Sequence, residues 1–418
     1  MDTYKVNPQL FYLFLCNLAI VFIGMGLFPI LPLYAMAFGA SPAVVGLFMA
    51  STYASISGGS LIATRLAAYL GRKRLFIATG LLSLPAVFLL GQATALWQIV
   101  VLTNVLWFAG GVGQAMTAVF TGLAAASDSR GKSFSLLHLS SPLGALLGGI
   151  MVSQLVGWQG YPLLFVALGL VWSIWPLVGW LVEDRPVVTK VVKSEVKTAV
   201  PLGRSFYLLL LVTLLAAITI NVSRLGTSLS MQILDFSAGA VASTVAIAGL
   251  VTMPITFLIG TLSDRLGRRR FLTMSYLLAA AGALTLILAS QLWHFWLAAT
   301  FILIARSVSS SVGAALATDL LAPEELGRGL AWLSTAGWIT GVVAFAGAGH
   351  VIETWGATTL YLMVAALALV AALQLRRIRY RTAEAAVVSE QPIVAYRPML
   401  PANGFRLRLT GLWRLIPK

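Results

Sequence analysis

Apolar runs of about 20 residues, the length a helix needs to cross a ~30 Å hydrocarbon core, alternate with short polar turns along nearly the whole chain. The pattern predicts helices over residues 9–36, 43–69, 75–93, 97–126, 134–156 and 160–182. A second six are predicted over 205–233, 239–263, 272–290, 293–317, 328–350 and 357–376. Lipid offers no partner to a backbone N–H or C=O, so each span must satisfy its own as a helix. The expected class is an all-α integral membrane protein with twelve transmembrane helices. The first run, from about Leu10 to Leu33, is too long for the apolar core of a signal peptide and lacks a basic leader and a small-residue cleavage site. It reads as a retained first span.

The polar segments then divide the chain. Residues 1–182 form a first six-helix bundle, 183–203 a linker, 204–376 a second bundle, and 377–418 a basic tail. In the linker, Lys190, Lys193 and Lys197 recur at helical spacing, which fits either a short helix on anionic lipid or a plain solvated connection. The tail carries "GFRLRLTGLWRLIPK", Gly404 to Lys418, which pairs cations with Phe405, Leu407, Leu412 and Trp413 and suits the inner leaflet, while 382–403 read as disordered.

The two bundles repeat. "LGRKRLF" at Leu70 and "LGRRRFL" at Leu266 lie 196 residues apart (267 − 71). "RGKSF" and "RGLAW" lie 198 apart (328 − 130), and "GWQGYPLLFV" and "TWGATTLYLM" align on Trp158 and Trp355 at 197. Three landmarks at nearly one offset imply duplication of a six-helix unit, so the bundles are expected to be pseudo-symmetric. Paired repeats with a ligand site between them are the architecture of secondary transporters.

Gly260, Asp264, Arg265, Gly267, Arg268 and Arg269 fill the pattern G-x-x-x-D-R-x-G-R-R. It resembles the signature loop of the major facilitator superfamily, and the resemblance covers both bundles, about residues 8–376. It implies alternating access between two bundles. It also implies a latch at the basic end, with Asp264 docked on the start of the fifth helix near Lys132 to Ser135, and Arg268 paired with Asp319. A topological stop alone would account for the arginines but not for the aspartate and glycines. The first copy, "TRLAAYLGRKR", keeps Gly71, Arg72 and Lys73 but has Ala68 where the second has Asp264. A charge-reversed contact of Glu324 and Glu325 with Arg72, Lys73 and Arg74 is expected in its place. "SPLGALLGG" in the fifth span, with Pro142, Gly144, Gly148 and Gly149, is similar to a stretch of the family's antiporters, and it equally suits a kink and close helix packing.

Charge fixes the expected orientation. The chain has a formal net charge of +15 and a mean hydropathy of +0.92. Its cations cluster in alternate loops, as at Arg72 to Arg74, Arg265 to Arg270 and Arg376 to Arg381, whereas the loops near 38–42, 91–96, 157–161 and 290–294 have no Lys or Arg. Positive loops stay inside, so both termini are expected in the cytoplasm, in a cell membrane; the charge is thus topological, and no nucleic-acid partner is expected.

Charges placed mid-span are costly and mark function. Arg65 is near enough to Gly71 to snorkel to the interface. Arg224 and Arg306 lie deeper: Arg306 is 13 residues from Asp319 (319 − 306), about 20 Å of helix. Ser228, Gln232 and Ser310 share their neighbourhoods, and Asn17, Asn104 and Gln114 are neutral polar candidates from the first bundle. These eight are the expected substrate residues, lining a cavity that is positive on its second-bundle side and suited to an anionic or hydrogen-bonding solute. Arginines that only hold helices together are the alternative. Tyr34, Tyr53, Trp107, Trp332 and Trp338 suit a cavity wall, and equally packing or interfacial belts. No Asp or Glu lies in the middle of a span, which disfavours a cation pocket.

The chain is therefore read as a monomeric secondary transporter of a small organic solute, of an efflux type. Import or facilitated passage of an organic anion through Arg224 and Arg306 is the alternative, and a non-transporting membrane sensor or assembly partner is a second. Its partners are the bilayer and its small-molecule substrate. A single cysteine, Cys16, and three scattered histidines give no metal site or nucleophile–base pair, so neither an enzyme nor a cofactor is expected. Proton coupling has His138 and Asp264 as candidates.

Overall fold

In the computed structural model the described residues are 8–124, 130–184, 202–322 and 325–378, less the side chains of 130–135, 159, 260, 261, 264 and 327. Most of the linker and all of the tail from 379 lie outside them, and so do both surface-helix expectations. Eleven α-helices occur among the described residues: α1 (Pro8–Leu27), α2 (Leu31–Ala37), α3 (Pro42–Leu70), α4 (Arg72–Leu90), α5 (Leu96–Ala124) and α6 (Arg130–Gly179). These are followed by α7 (Arg204–Ile233), α8 (Ala238–Leu266), α9 (Arg268–Ile287), α10 (Leu292–Leu320) and α11 (Leu326–Gln374).

Two of these are too long to be single crossings. At 1.5 Å per residue, the 50 residues of α6 and 49 of α11 would each run about 75 Å, more than twice a hydrocarbon core. Each turns at a glycine whose φ is positive, Gly160 (74°) and Gly356 (82°), a conformation that a side chain resists. Each is therefore two spans, and the expected twelve crossings are present.

The duplication is written into the backbone. Positive φ occurs at Gly39 and Asp235, Gly71 and Gly267, and Gly160 and Gly356. The differences 235 − 39, 267 − 71 and 356 − 160 are all 196. Ser41 and Ser237, again 196 apart (237 − 41), cap α3 and α8 by accepting from the N–H groups of Val44 and Ala240.

Two boundaries differ from expectation. The first span, predicted over 9–36, breaks at 28–30, because Pro29 brings no N–H to the ladder and Pro32 restarts the helix in the first turn of α2, where none is needed. The spans predicted from 75 and 272 begin at Arg72 and Arg268, directly after Gly71 and Gly267, so the arginine clusters form first turns. Cations there oppose the helix dipole. Arg72 offsets this by pairing with Asp184 at 2.9 Å, and Arg268 by pairing with Asp319 at 2.7 Å.

Within the first half α1 packs on α6, α3 on α5, and α4 on α5 and α6; in the second, α7 packs on α11, α10 on α8 and α9, and α9 on α11. Trp172, Trp175, Phe76 and Phe120 fill the first core, and Phe206, Tyr276, Phe295 and Tyr361 fill the second. The halves meet along two equivalent seams, α3 against α11 and α6 against α8. Outside, Leu82, Leu170, Leu177, Phe257 and Leu288 stand exposed in a way that suits lipid rather than water.

Candidate substrate site between the two halves

Both seams close by backbone contact at the end of the molecule away from the arginine clusters. A Cβ on Gly46 of α3 would stand 2.6 Å from the Phe345 carbonyl and 2.9 Å from Gly349 Cα, both of α11. On the other seam a Cβ on Gly149 would meet Ala246 N at 2.6 Å, and one on Gly249 would meet Leu146 N at 2.5 Å. Helices approach this closely only where side chains are absent. Ser153 adds a hydrogen bond from its hydroxyl to the Gly239 carbonyl, 2.8 Å. At the rim, one oxygen of Glu353 accepts from the Ser41 hydroxyl and from the Ala43 N–H, each at 2.8 Å, so an acid of α11 caps the N-terminus of α3 in the other half.

Below this seal the seams part. A Cβ on Gly58 of α3 or Gly337 of α11 would meet open space, and Ser310, Ser311 and Trp332 are exposed. Toward the basic end, then, these positions of α3, α10 and α11 are not packed against a neighbour.

Two arginines converge where the seal ends. Arg224 of α7 donates to the Tyr53 hydroxyl of α3 at 3.0 Å, and its guanidinium carbon lies 3.7 Å from the centre of the Phe28 ring. Arg306 of α10 lies near enough to act electrostatically on the same phenol and on Arg224. Both arginines are only partly buried. Tyr53 is fixed by edge contacts with Phe345 (4.7 Å between centroids) and Trp338 (6.2 Å), and by Gly341, whose missing side chain makes room for the ring. Neither guanidinium is paired with a carboxylate among the described residues. One phenol and one ring face leave most of ten N–H donors for a ligand, and planar forks of this kind match carboxylate or phosphate oxygens.

Of the other expected substrate residues, Ser228 is buried and Gln232 partly so on α7; Ser310 is exposed on α10, its hydroxyl donating to the Ser307 carbonyl. Gln114 borders a small apolar gap with Ile20, Ile56 and Trp107. The last two bond to neighbouring helices. Asn17 is buried and donates to the Ser140 hydroxyl at 2.6 Å, tying α1 to α6. Asn104 accepts from Ser55 and donates to Ser51, tying α5 to α3. A polar residue on a helix serves the neighbour it faces, and these face helices of their own half.

At the basic end Arg268 meets Asp319 as expected and also donates to the Ala315 carbonyl at 2.9 Å. The pair is about one-third exposed, so Asp319→Asn is expected to lower stability by less than ~1 kcal/mol in thermal unfolding. Gly260 and Asp264 lie within α8, Gly267 follows it, and Arg265 is exposed; the Asp264 side chain and residues 132–135 fall outside the described side chains, so that half of the expected latch does too. Of the groups in the expected charge-reversed contact, Arg72 pairs with Asp184, Lys73 donates to the Trp180 carbonyl at 2.8 Å, and the Glu325 carboxylate accepts from the Ala322 N–H. Glu324 lies outside the described residues. The "SPLGALLGG" stretch is a two-sided packing surface: Gly144 and Gly148 admit α1 at Phe22 and Gly26, Gly149 admits α8, and the Pro142 carbonyl faces Gly249.

Sequence reasoning passed over Phe28, Gly46, Phe345, Gly349 and Glu353. For Glu353 a signal existed. Its counterpart at the 196 offset (353 − 196) is Gly157, an asymmetry of the same kind that drew attention to Asp264. No group of three or more His, Cys, Asp or Glu able to hold a metal ion occurs among the described residues.

The sequence model of the Major Facilitator Superfamily matches this chain over residues 13–304 and 209–416. A search of curated proteins returns no match. Among solved structures, the chain is similar to an auto-inhibited POT family peptide transporter (TM-score 0.72, 14% identity, 90% of this chain and 97% of that one). It is also similar to the POT family transporter PepTSo (0.73, 12%, 92% and 99%) and to a POT family transporter in complex with 5-aminolevulinic acid (0.70, 14%, 90% and 97%). At such identities the likeness is one of fold.

Proposed function

Because this chain belongs to the major facilitator superfamily, we propose that it carries a small organic anion across a cell membrane by alternating access, with Arg224 and Arg306 as the recognition pair. The observation that supports this most is that two guanidiniums from one half stand close to each other and to a phenol of the other, which Arg224 bonds, at the inner limit of the seal, with no carboxylate paired to them among the described residues. An anion arriving from the open end is drawn to the pair and displaces weak neutral partners. It also changes what holds Tyr53, and Tyr53 belongs to the aromatic plug with Phe28 and Phe345. Binding energy spent at that point loosens the seal, which is the coupling that alternating access requires.

A peptide substrate, as in the POT family peptide transporters of similar fold, is the second reading. A peptide brings an ammonium group as well as a carboxylate, and no Asp or Glu lies mid-span to receive it. An anion without a cationic end suits the cavity better. The efflux expectation leaned on the fifth-span stretch. That stretch is used for packing, so we assign direction to the coupled gradient, with His138, which is exposed, and Asp264 as its titratable candidates. Termini in the cytoplasm, a monomeric state and the Asp264 latch complete the proposal.

A ligand-stabilisation screen tests it. Purified protein is heated with matched carboxylates, amines and neutral amides; one or more carboxylates should raise the melting temperature where their amides do not. Selective stabilisation by amines would reverse the reading.

A further inference from the structure

We propose that the groove at the start of α4 binds one anionic phospholipid of the leaflet at the basic end. Its wall is apolar and aromatic, formed by Tyr69, Ile77, Leu81 and Trp180, and its mouth carries Lys73 and Arg74. Tyr69 and Trp180 are 88% and 63% exposed, the amphipathic rings that settle at headgroup depth. From Arg74 to Leu81 is seven residues, about 10 Å along the helix, so a headgroup held at the mouth leaves its acyl chain lying on Ile77 and Leu81.

The charges at the mouth favour an anion. Arg74 is exposed and has no ion pair among the described residues. Lys73 gives one N–H to the Trp180 carbonyl and keeps two. Asp184 also borders the groove, but its carboxylate is held by Arg72 at 2.9 Å, which cancels its repulsion. Where the second half has Asp264, this half has Ala68, so the acid that a duplicated loop would place nearby is missing. A basic mouth above an apolar wall, facing the bilayer at the depth of the headgroups, complements a lipid phosphate with its chains.

Native mass spectrometry of protein exchanged into micelles doped with phosphatidylglycerol or phosphatidylcholine of the same chains tests this. One phosphatidylglycerol should be retained, at least tenfold in preference to phosphatidylcholine. Lys73→Gln/Arg74→Gln should abolish the preference, and so should Ala78→Phe, which keeps both cations and fills the groove. Arg74→Gln alone, at an exposed position, should weaken it and covers the case that the double variant does not fold. Glycerol phosphate, the headgroup chemistry without chains, should not compete. Equal retention of the two lipids, retention unchanged in the variants, or displacement by glycerol phosphate would each overturn the proposal.

Discussion

Alanine in place of Arg224 is expected to weaken binding of the carried anion about 10- to 150-fold, because a hydrogen bond to a charged group is worth about 1.5–3 kcal/mol. Arg306→Ala should cost a similar factor. The two substitutions, compared with the double variant, should not add, since both guanidiniums address one ligand and act on each other, and residues sharing a partner couple. Arg224→Lys should recover only part of the loss, because an ammonium is a point charge without the planar fork that sits on Phe28 and reaches Tyr53. Tyr53→Phe removes one neutral hydroxyl and should change affinity by less than tenfold. Calorimetric titration of the four single variants and the double alanine variant separates these outcomes, and affinity unchanged in both single alanine variants would remove the pair from the site.

Valine in place of Gly46 is expected to hold the seal open. Its Cβ alone would sit 2.6 Å from the Phe345 carbonyl and 2.9 Å from Gly349 Cα. Both contacts are backbone, so neither can be relieved by a change of rotamer, and α3 and α11 must separate. Within each half the packing does not involve this contact, so the protein should fold and transport should be nearly abolished. Val45, fully buried beside the seal, is the reporter. A Val45→Cys side chain should react with a membrane-impermeant thiol reagent at least tenfold faster in the Gly46→Val background, a shift of about 1.4 kcal/mol in the open–closed equilibrium. Cys16 is buried and should stay silent. Labelling at the same rate with transport intact would mean that the glycine contact is not the gate.

The spans were legible because a membrane imposes one length and one composition on every crossing, and the 196-residue repeat was legible because its loops kept their glycines and arginines. The break at Phe28–Ile30 was written in Pro29 and Pro32 but masked by an otherwise unbroken apolar run. Arg224 and Arg306 stood out as charges with no reason to be mid-span. Their meeting point did not: Tyr53 is 171 residues from Arg224, and nothing local to either indicates which face each helix turns to the other. Nor does residue type tell a cavity wall from a helix contact: the bonds of Asn17 to Ser140 and of Asn104 to Ser51 and Ser55 leave no local trace. The partners of Glu353, unlike its asymmetry with Gly157, were hidden because they lie 310 and 312 residues away. Arg268 and Asp319, in contrast, were matched in advance through the resemblance of their loop to a known one.

The central claim is that the arginine pair reads negative charge. Its most direct measurement is the dissociation constant of a carboxylate found by the stabilisation screen beside that of its methyl ester, by calorimetry on the unaltered protein at one salt concentration. The ester keeps the shape and removes the charge. The account predicts that the carboxylate binds at least tenfold more tightly, a difference of about 1.4 kcal/mol or more. Equal constants for acid and ester would contradict it.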